Sequence, residues 1–245
     1  MLIQLLRSGL DVREIIYFVI IYVIALMLAF SIHEFMHASV AVWLGDPTPR
    51  NMGRLTINPL AHLDPMGTIL LLVAGFGWGK PVMYNPSNLH KFKSRRWMNI
   101  MVHLAGVTGN FILAAISAIL TLLFGRLQFV AGTGALAIAV TALGDLFSYV
   151  YAFSMMLLAF NLIPIPPLDG FHVLEELLPY KLKHTPGYRK FASMSPMILW
   201  VIFIASTFTN IPILSSLVSI IEIPFTYIIS FICVPFEMLF SIVGL

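Results

Sequence analysis

Long apolar runs with almost no charged residues dominate the pattern of hydrophobic and polar positions along the chain. A helix needs about 20 residues to cross the roughly 30 Å hydrocarbon core of a bilayer, so runs of that length predict membrane-spanning helices. The sequence contains four such runs, at 15–33, 97–125, 127–168 and 191–236. The helical pattern of the first run continues as far as Leu44.

Polar residues and prolines divide the later runs. Asp145 interrupts the third run, and its second half, from Leu146, is predicted to span the membrane. In the last run, Pro212 and Pro224 predict two spans that break around residues 211–224.

A short glycine-rich stretch at 65–79 is too short for a span and is interpreted as a re-entrant segment. The predicted fold class is therefore an all-α polytopic membrane protein. It is a bundle of about five to six transmembrane helices with a short re-entrant β/loop element.

Composition excludes several other classes of protein. Hydrophobic residues make up 59% of the 245 residues and charged residues 10%, whereas soluble domains have about 45–50% and roughly 25%. A soluble globular enzyme, a disordered chain and a nucleic-acid-binding module are excluded by these values. The chain is expected to contact a lipid bilayer and to have no nucleic-acid partner.

Lys and Arg residues are distributed unequally between the two sides of the predicted bundle. Eleven would lie on one side, and three, Arg7, Arg13 and Arg126, on the other. Because basic loops tend to remain in the cytoplasm, this asymmetry predicts a multi-pass protein of the cell membrane with cytoplasmic basic loops. These loops are 45–64, 80–96 and 179–190.

Three ionisable residues, His33, Glu34 and His37, form the string H-E-F-M-H in the first predicted helix. Ionisable residues within a span are costly and normally functional. Residues four apart share one helix face, about 6 Å apart along the axis, so both imidazoles can reach one metal ion. Glu34 is offset by roughly 100° and can reach a water at the metal, which is the arrangement of zinc hydrolases. The alternative is a polar cluster that packs helices inside a transporter.

Two histidines and a water leave a tetrahedral zinc one protein ligand short. The candidate third ligand is Asp169, in the string N-L-I-P-I-P-P-L-D-G at 161–170. The prolines prevent a regular helix, and irregular backbone at membrane depth is tolerated where it is buried in protein or lines a wet cavity. The alternative for Asp169 is a helix N-cap. Beside an incomplete two-histidine site, the ligand interpretation is preferred.

Two motifs resemble those of the site-2 protease family of intramembrane zinc metalloproteases: H-E-F-M-H at 33–37 and N-x-x-P-x-P-x-L-D-G at 161–170. The resemblance covers roughly residues 15–178 and fits the compact branch without a PDZ or CBS domain. Further strings that carry it are L-G-D-P-T-P-R at 44–50, G-R-L-T-I-N-P-L-A-H-L-D-P-M-G at 53–67, G-W-G-K-P-V at 77–82 and A-G-V-T-G-N at 105–110.

The resemblance implies that His33, His37 and Asp169 bind one zinc ion and that Glu34 is the general base. It also implies that Asn161 helps hold the substrate or stabilise the oxyanion, a task that suits a carboxamide because it donates without titrating. An interhelical hydrogen bond is the alternative for Asn161. The ligand set favours zinc and leaves cobalt or iron open.

Other polar residues are interpreted mainly as structural. Asn110 is interpreted as a packing residue, since Gly106 and Gly109 beside it allow close helix approach. His103 is expected to have no functional role, whereas His172 is a candidate neighbour of the metal ligands.

Residues 80–86 have the pattern of a short edge strand bounded by prolines. Because a helix hides its carbonyls in internal hydrogen bonds, a locally unwound substrate is expected to add here as a strand. The alternative is a membrane-surface loop.

The expected function is that of an intramembrane zinc metalloendopeptidase with its active site towards the cytoplasmic side. Its substrates would be membrane proteins, cleaved within or near their transmembrane segments. The alternatives are a non-hydrolytic metal-binding membrane protein, which would not need Glu34, and an ion transporter, whose polar residues should be more widely spread. The expected organisation is an N-terminal lead-in at 1–14, a metalloprotease core at 15–178, and a cytoplasmic loop with C-terminal transmembrane helices at 179–245. The oligomeric state is left open.

Overall fold

The computed structural model describes residues 9, 11–68, 79–208 and 213–243. Four of its helices are long and apolar enough to cross a membrane, and they confirm an all-α polytopic membrane protein. The named helices are α1 (Val12–Trp43), α2 (Thr48–Asn51), α3 (Pro59–His62), α4 (Arg95–Val130), α5 (Ala135–Asn161), α6 (Asp169–Leu177), α7 (Tyr180–Lys183), α8 (Pro186–Phe208) and α9 (Ile213–Ile242). The four candidate spans are α1, α4, α5 and α9.

Helix α5 is longer than the sequence predicts. It begins at Ala135 rather than at Leu146, so Asp145 lies inside it. The reason is a hydrogen bond in which the Tyr17 hydroxyl of α1 donates to Asp145 Oδ2 at 2.6 Å. This contact gives a partner to a carboxylate that would otherwise be costly within a span.

The last apolar run, predicted to form two spans, forms two long helices, α8 and α9, and among the described residues α9 is the one that qualifies as a candidate span. Helix α9 continues through Pro224 and Pro235, so Pro224 does not end it. Residues 209–212 between the two helices lie outside the described residues, as does most of the predicted re-entrant segment, 69–78.

Small side chains bring α1 close to α5. Ala25 and Ala29 of α1 are fully buried and pack against Val150 and Phe153 of α5. Membrane helices associate through small residues of this kind because they let the backbones approach. Helix α4 packs against both α1 and α5, and these three helices form the core that positions the site.

Asp46 holds the segment before α4 against the end of α1. Its fully buried carboxylate accepts hydrogen bonds from Thr48, from the Asn85 backbone N–H at 2.6 Å and from Asn88 Nδ2 at 2.8 Å. Burial raises the pKa of Asp46, but these hydrogen bonds outweigh burial and lower its pKa below the usual value. The ionised carboxylate therefore joins two segments that are distant in sequence.

The predicted edge strand at 80–86 has little β pairing. Within the described ranges, one antiparallel bridge joins Leu63 to Gly79, and the Lys80 N–H donates to the His62 carbonyl at 2.7 Å. Its assignment as an edge strand for substrate therefore stays a prediction.

Candidate metal centre

His33 and His37 lie one turn apart on α1 and turn their rings to the same point. Both residues are buried, and their Nε2 atoms are 3.0 Å apart. This placement follows from the helix period, which puts residues four apart on one face.

Asp169 begins α6 and brings a carboxylate to the same point. Its Oδ2 lies 3.2 Å from His33 Nε2 and 3.2 Å from His37 Nε2. This oxygen is buried and accepts no hydrogen bond within the described residues. The loop that delivers Asp169 follows α5 and contains the Pro166–Pro167 pair, where a regular helix cannot continue. The two motifs that are far apart in sequence therefore meet in one cluster.

The triangle formed by these three atoms fits a divalent metal of the size of zinc. Zinc bonds to nitrogen and oxygen are about 2.0–2.2 Å long, so the ligand atoms of a tetrahedral site lie about 3.3 Å apart. The observed separations of 3.0, 3.2 and 3.2 Å are close to that value. The Asp169 oxygen accepts no hydrogen bond in the described part of the chain, and it faces two imidazole nitrogens. One carboxylate oxygen and two imidazole nitrogens are ligands that zinc accepts.

The backbone and a buried amide orient the two imidazole rings. His37 Nδ1–H donates to the Val102 carbonyl at 2.7 Å, which leaves the lone pair of Nε2 directed at the cluster. His33 Nδ1 lies 3.3 Å from the carboxamide of Asn110, a fully buried residue of α4. With that amide turned so that Oδ1 faces Nδ1–H, both groups gain a partner, because Oδ1 otherwise has none. Asn110 thus contacts the site and does more than pack helices.

His103 and Tyr84 extend the cluster beyond the residues that the sequence singles out. His103 Nδ1 lies 3.6 Å from Asp169 Oδ1, and its Nε2 lies 3.0 Å from the Tyr84 hydroxyl. His172 stacks on His103 with ring centroids 4.7 Å apart. Burial raises the pKa of Asp169, but His37, His103 and His33 outweigh burial and hold its pKa well below the usual value. Each oxygen of Asp169 therefore faces imidazole.

Glu34 lies beside the cluster without joining it. The residue is buried, and its Oε2 accepts a hydrogen bond from the Val82 backbone N–H at 2.8 Å. The segment predicted to bind substrate therefore contacts the predicted general base directly.

A cavity of about 990 Å³ contains the cluster and Glu34. Asn161 lines this cavity, and its Nδ2 donates to the Leu157 carbonyl of its own helix at 2.9 Å. Its predicted role towards substrate stays a prediction. Helices α8 and α9 form a further wall, through Phe203, Leu214, Ser215, Val218, Ser219 and Glu222.

Gly106 is the position on α4 where a side chain would disturb the cluster most. A Cβ built there would overlap the rings of both His33 and His37. We expect Gly106→Ala to lower zinc affinity at least about tenfold, because it displaces both imidazoles. Gly125→Ala is the matched control. Gly125 lies on the same helix, and a Cβ built there meets nothing within 4 Å. Competition titration with a chelating dye measures both variants, and equal affinities would contradict this account of the site.

Comparison with known proteins identifies the family. The model of peptidase family M50 matches residues 125–206, a range that includes the 161–170 motif. YwhC of Bacillus subtilis (strain 168), which bears the name of a zinc metalloprotease, is 41% identical over 182 residues, or 74% of this chain and 77% of that protein. No solved structure matches the chain significantly.

Two mycobacterial relatives that also bear the name of zinc metalloproteases support the same family assignment. Rip2 of Mycolicibacterium smegmatis is 34% identical over 156 residues, which are 61% of this chain and 54% of that protein. Rip2 of Mycobacterium tuberculosis (strain H37Rv) is 31% identical over 188 residues, which are 74% and 65% of the two chains. Together with the polytopic helical fold, these matches show that the chain belongs to peptidase family M50, the site-2 protease family, and is a zinc-dependent membrane metalloprotease.

Proposed function

We propose that His33, His37 and Asp169 bind the zinc ion, and that Glu34 is the general base for hydrolysis of peptide bonds within or near the transmembrane segments of membrane-protein substrates. The observation that carries the proposal is the convergence of two imidazole nitrogens and one unpartnered carboxylate oxygen beside Glu34. Zinc, when bound, supplies a Lewis acid that polarises a carbonyl and lowers the pKa of water.

The two oxygens of Glu34 have different tasks in this mechanism. Oε2 accepts the Val82 N–H, which fixes the orientation of the carboxylate. Oε1 is left to take the proton of the attacking water and to deliver it to the nitrogen of the departing peptide. A buried carboxylate oriented by a backbone donor is well placed for this transfer, since among the described residues Val82 N–H is its one hydrogen-bond donor.

Asp169 and the two histidines are held in place by surrounding groups. The Val102 carbonyl fixes the tautomer of His37, and Asn110 faces Nδ1 of His33. His103 approaches the second oxygen of Asp169. Such outer contacts orient ligands and raise their basicity.

The substrate would lie extended in the cavity, between the cluster and the segment at 80–86. Within this segment the Val82 N–H is occupied by Glu34, whereas Met83 is exposed. Asn161, which also lines the cavity, would donate a hydrogen bond from its carboxamide to the substrate or the oxyanion. The active site is proposed to face the cytoplasmic side of the membrane. The excess of Lys and Arg in the neighbouring loops supports this orientation of the protein.

Removal of zinc tests the proposal. Purified protein treated with chelator in proteoliposomes is expected to lose cleavage of a tagged single-span substrate that carries a helix-weakening Gly pair. Addition of one equivalent of zinc should restore cleavage, whereas magnesium should not, because imidazole ligands favour zinc over magnesium. Undiminished cleavage by protein shown to be metal-free by mass spectrometry would contradict the proposal.

A further inference from the structure

Glu222 is an acidic residue in the middle of the membrane-spanning helix α9, and it lines the same cavity as the metal cluster. An acidic side chain within a span is costly and normally has a function. The mechanism above does not use it.

The stretch of α9 around Glu222 packs against the helices that hold the metal cluster. Its neighbours Val218 and Ile221 pack against a buried cluster formed by Val107 of α4 and by Leu158 and Ala159 of α5. Val107 directly follows Gly106, the residue whose backbone lies against both histidines. A peptide held in the cavity would therefore have both the metal cluster and Glu222 on its walls.

The Glu222 carboxylate has no hydrogen bond or ion pair with any residue in the described part of the chain. The cavity lining contains no Lys or Arg within those residues either. The acidic groups that face the same space are Glu34 and Asp169, and the first is engaged by Val82 and the second by histidines. Within the described part of the chain, the Glu222 carboxylate therefore has no Lys or Arg partner in this largely apolar cavity.

We propose that Glu222 is a specificity-determining residue that binds a lysine or arginine of the substrate close to the cleaved bond. The proposal rests on the proposed function and adds the class of side chain that the site selects. A substrate cation would convert an unpaired carboxylate at membrane depth into an ion pair, which lowers the cost of burying both charges. Transmembrane segments carry Lys and Arg at their cytoplasmic ends, so membrane-protein substrates contain the positively charged side chain that this proposal requires.

A charge-swap experiment tests the proposal. Single-span substrates that differ only in having Lys, Met or Glu at one position are prepared, with that position moved over six residues around the cleavage site mapped by mass spectrometry. Wild-type protein in proteoliposomes is expected to cleave the Lys substrate about tenfold faster than the Met substrate at one or two positions. Glu222→Gln should reduce this ratio to about one, and Glu222→Lys should favour the Glu substrate.

Glu237→Gln is the matched control, because Glu237 is an exposed acid on the same helix that lines a different, smaller cavity. It should leave the Lys-to-Met ratio unchanged. A ratio in Glu222→Gln equal to that of the wild type at every position would overturn the proposal.

Binding provides a second measurement that does not depend on cleavage. In a Glu34→Gln background, the affinity of zinc-loaded protein for fluorescent Lys and Met peptides is compared with and without Glu222→Gln. A preference for the Lys peptide that is lost on Glu222→Gln supports the specificity role. If the protein with Glu34 intact then cleaves no peptide, the proposed hydrolysis fails and the specificity role stands. Equal affinity for both peptides, with Glu222 present, would overturn the specificity role whatever the outcome of the cleavage assay.

Discussion

Replacing Glu34 with glutamine is expected to lower the cleavage rate about 10²–10⁴-fold and to leave zinc content unchanged. Glutamine has nearly the same shape as glutamate, and its Oε1 can still accept the Val82 N–H. A carboxamide cannot take a proton from water at neutral pH, so the loss falls on catalysis. Single-turnover cleavage of a tagged single-span substrate measures the rate, and elemental analysis measures the metal.

The matched control for this prediction is again Glu237→Gln, which removes an acid of the same type away from the cavity. Its cleavage rate should equal that of the wild type. If Glu34→Gln cleaves at the wild-type rate with zinc bound, another residue must act as the base.

Replacing His33 with alanine is expected to lower zinc affinity by more than about a hundredfold and to abolish cleavage. Changes to outer partners of metal ligands alone cost about 10–100-fold, and this substitution removes one of three proposed ligands. It also leaves Asp169 Oδ2 with a single imidazole neighbour, His37. Titration against a chelating dye at fixed pH measures the affinity.

His184→Ala controls for the loss of a histidine in general, because His184 is exposed and its contacts in the described part of the chain are with Tyr180. Thermal unfolding of both variants separates loss of metal from loss of fold. A folded His33→Ala protein that binds zinc as tightly as the His184→Ala protein would refute the ligand assignment.

The sequence predicts the two histidines of the site more directly than it predicts Asp169. His33 and His37 follow from the helix period alone, since residues four apart share a face in any α-helix. Asp169 follows from a missing ligand and a proline-rich string, and its meeting with the histidines depends on the way α6 packs against α4. The contact becomes visible only in the folded chain.

The residues around the ligands are not predictable from local pattern. His103 and Asn110 look like ordinary polar positions of an apolar helix, because their partners Asp169 and His33 come from other elements. The early start of α5 has the same cause, since the partner of Asp145 is Tyr17 on α1. Sequence period fixes which face a residue occupies, but helix packing decides what that face meets.

The segment before α4 is joined to α1 through Val82 on Glu34, and to the turn that follows α1 through Asn85 on Asp46. Helix α1 spans about 48 Å, well beyond the thickness of the hydrocarbon core, and must tilt when the bilayer thins. Because these contacts tie the segment to Glu34 and to the end of α1, we expect the proposed base and the proposed peptide-binding segment to tilt together. The distance between Glu34 and this segment is therefore expected to change little when the bilayer thins.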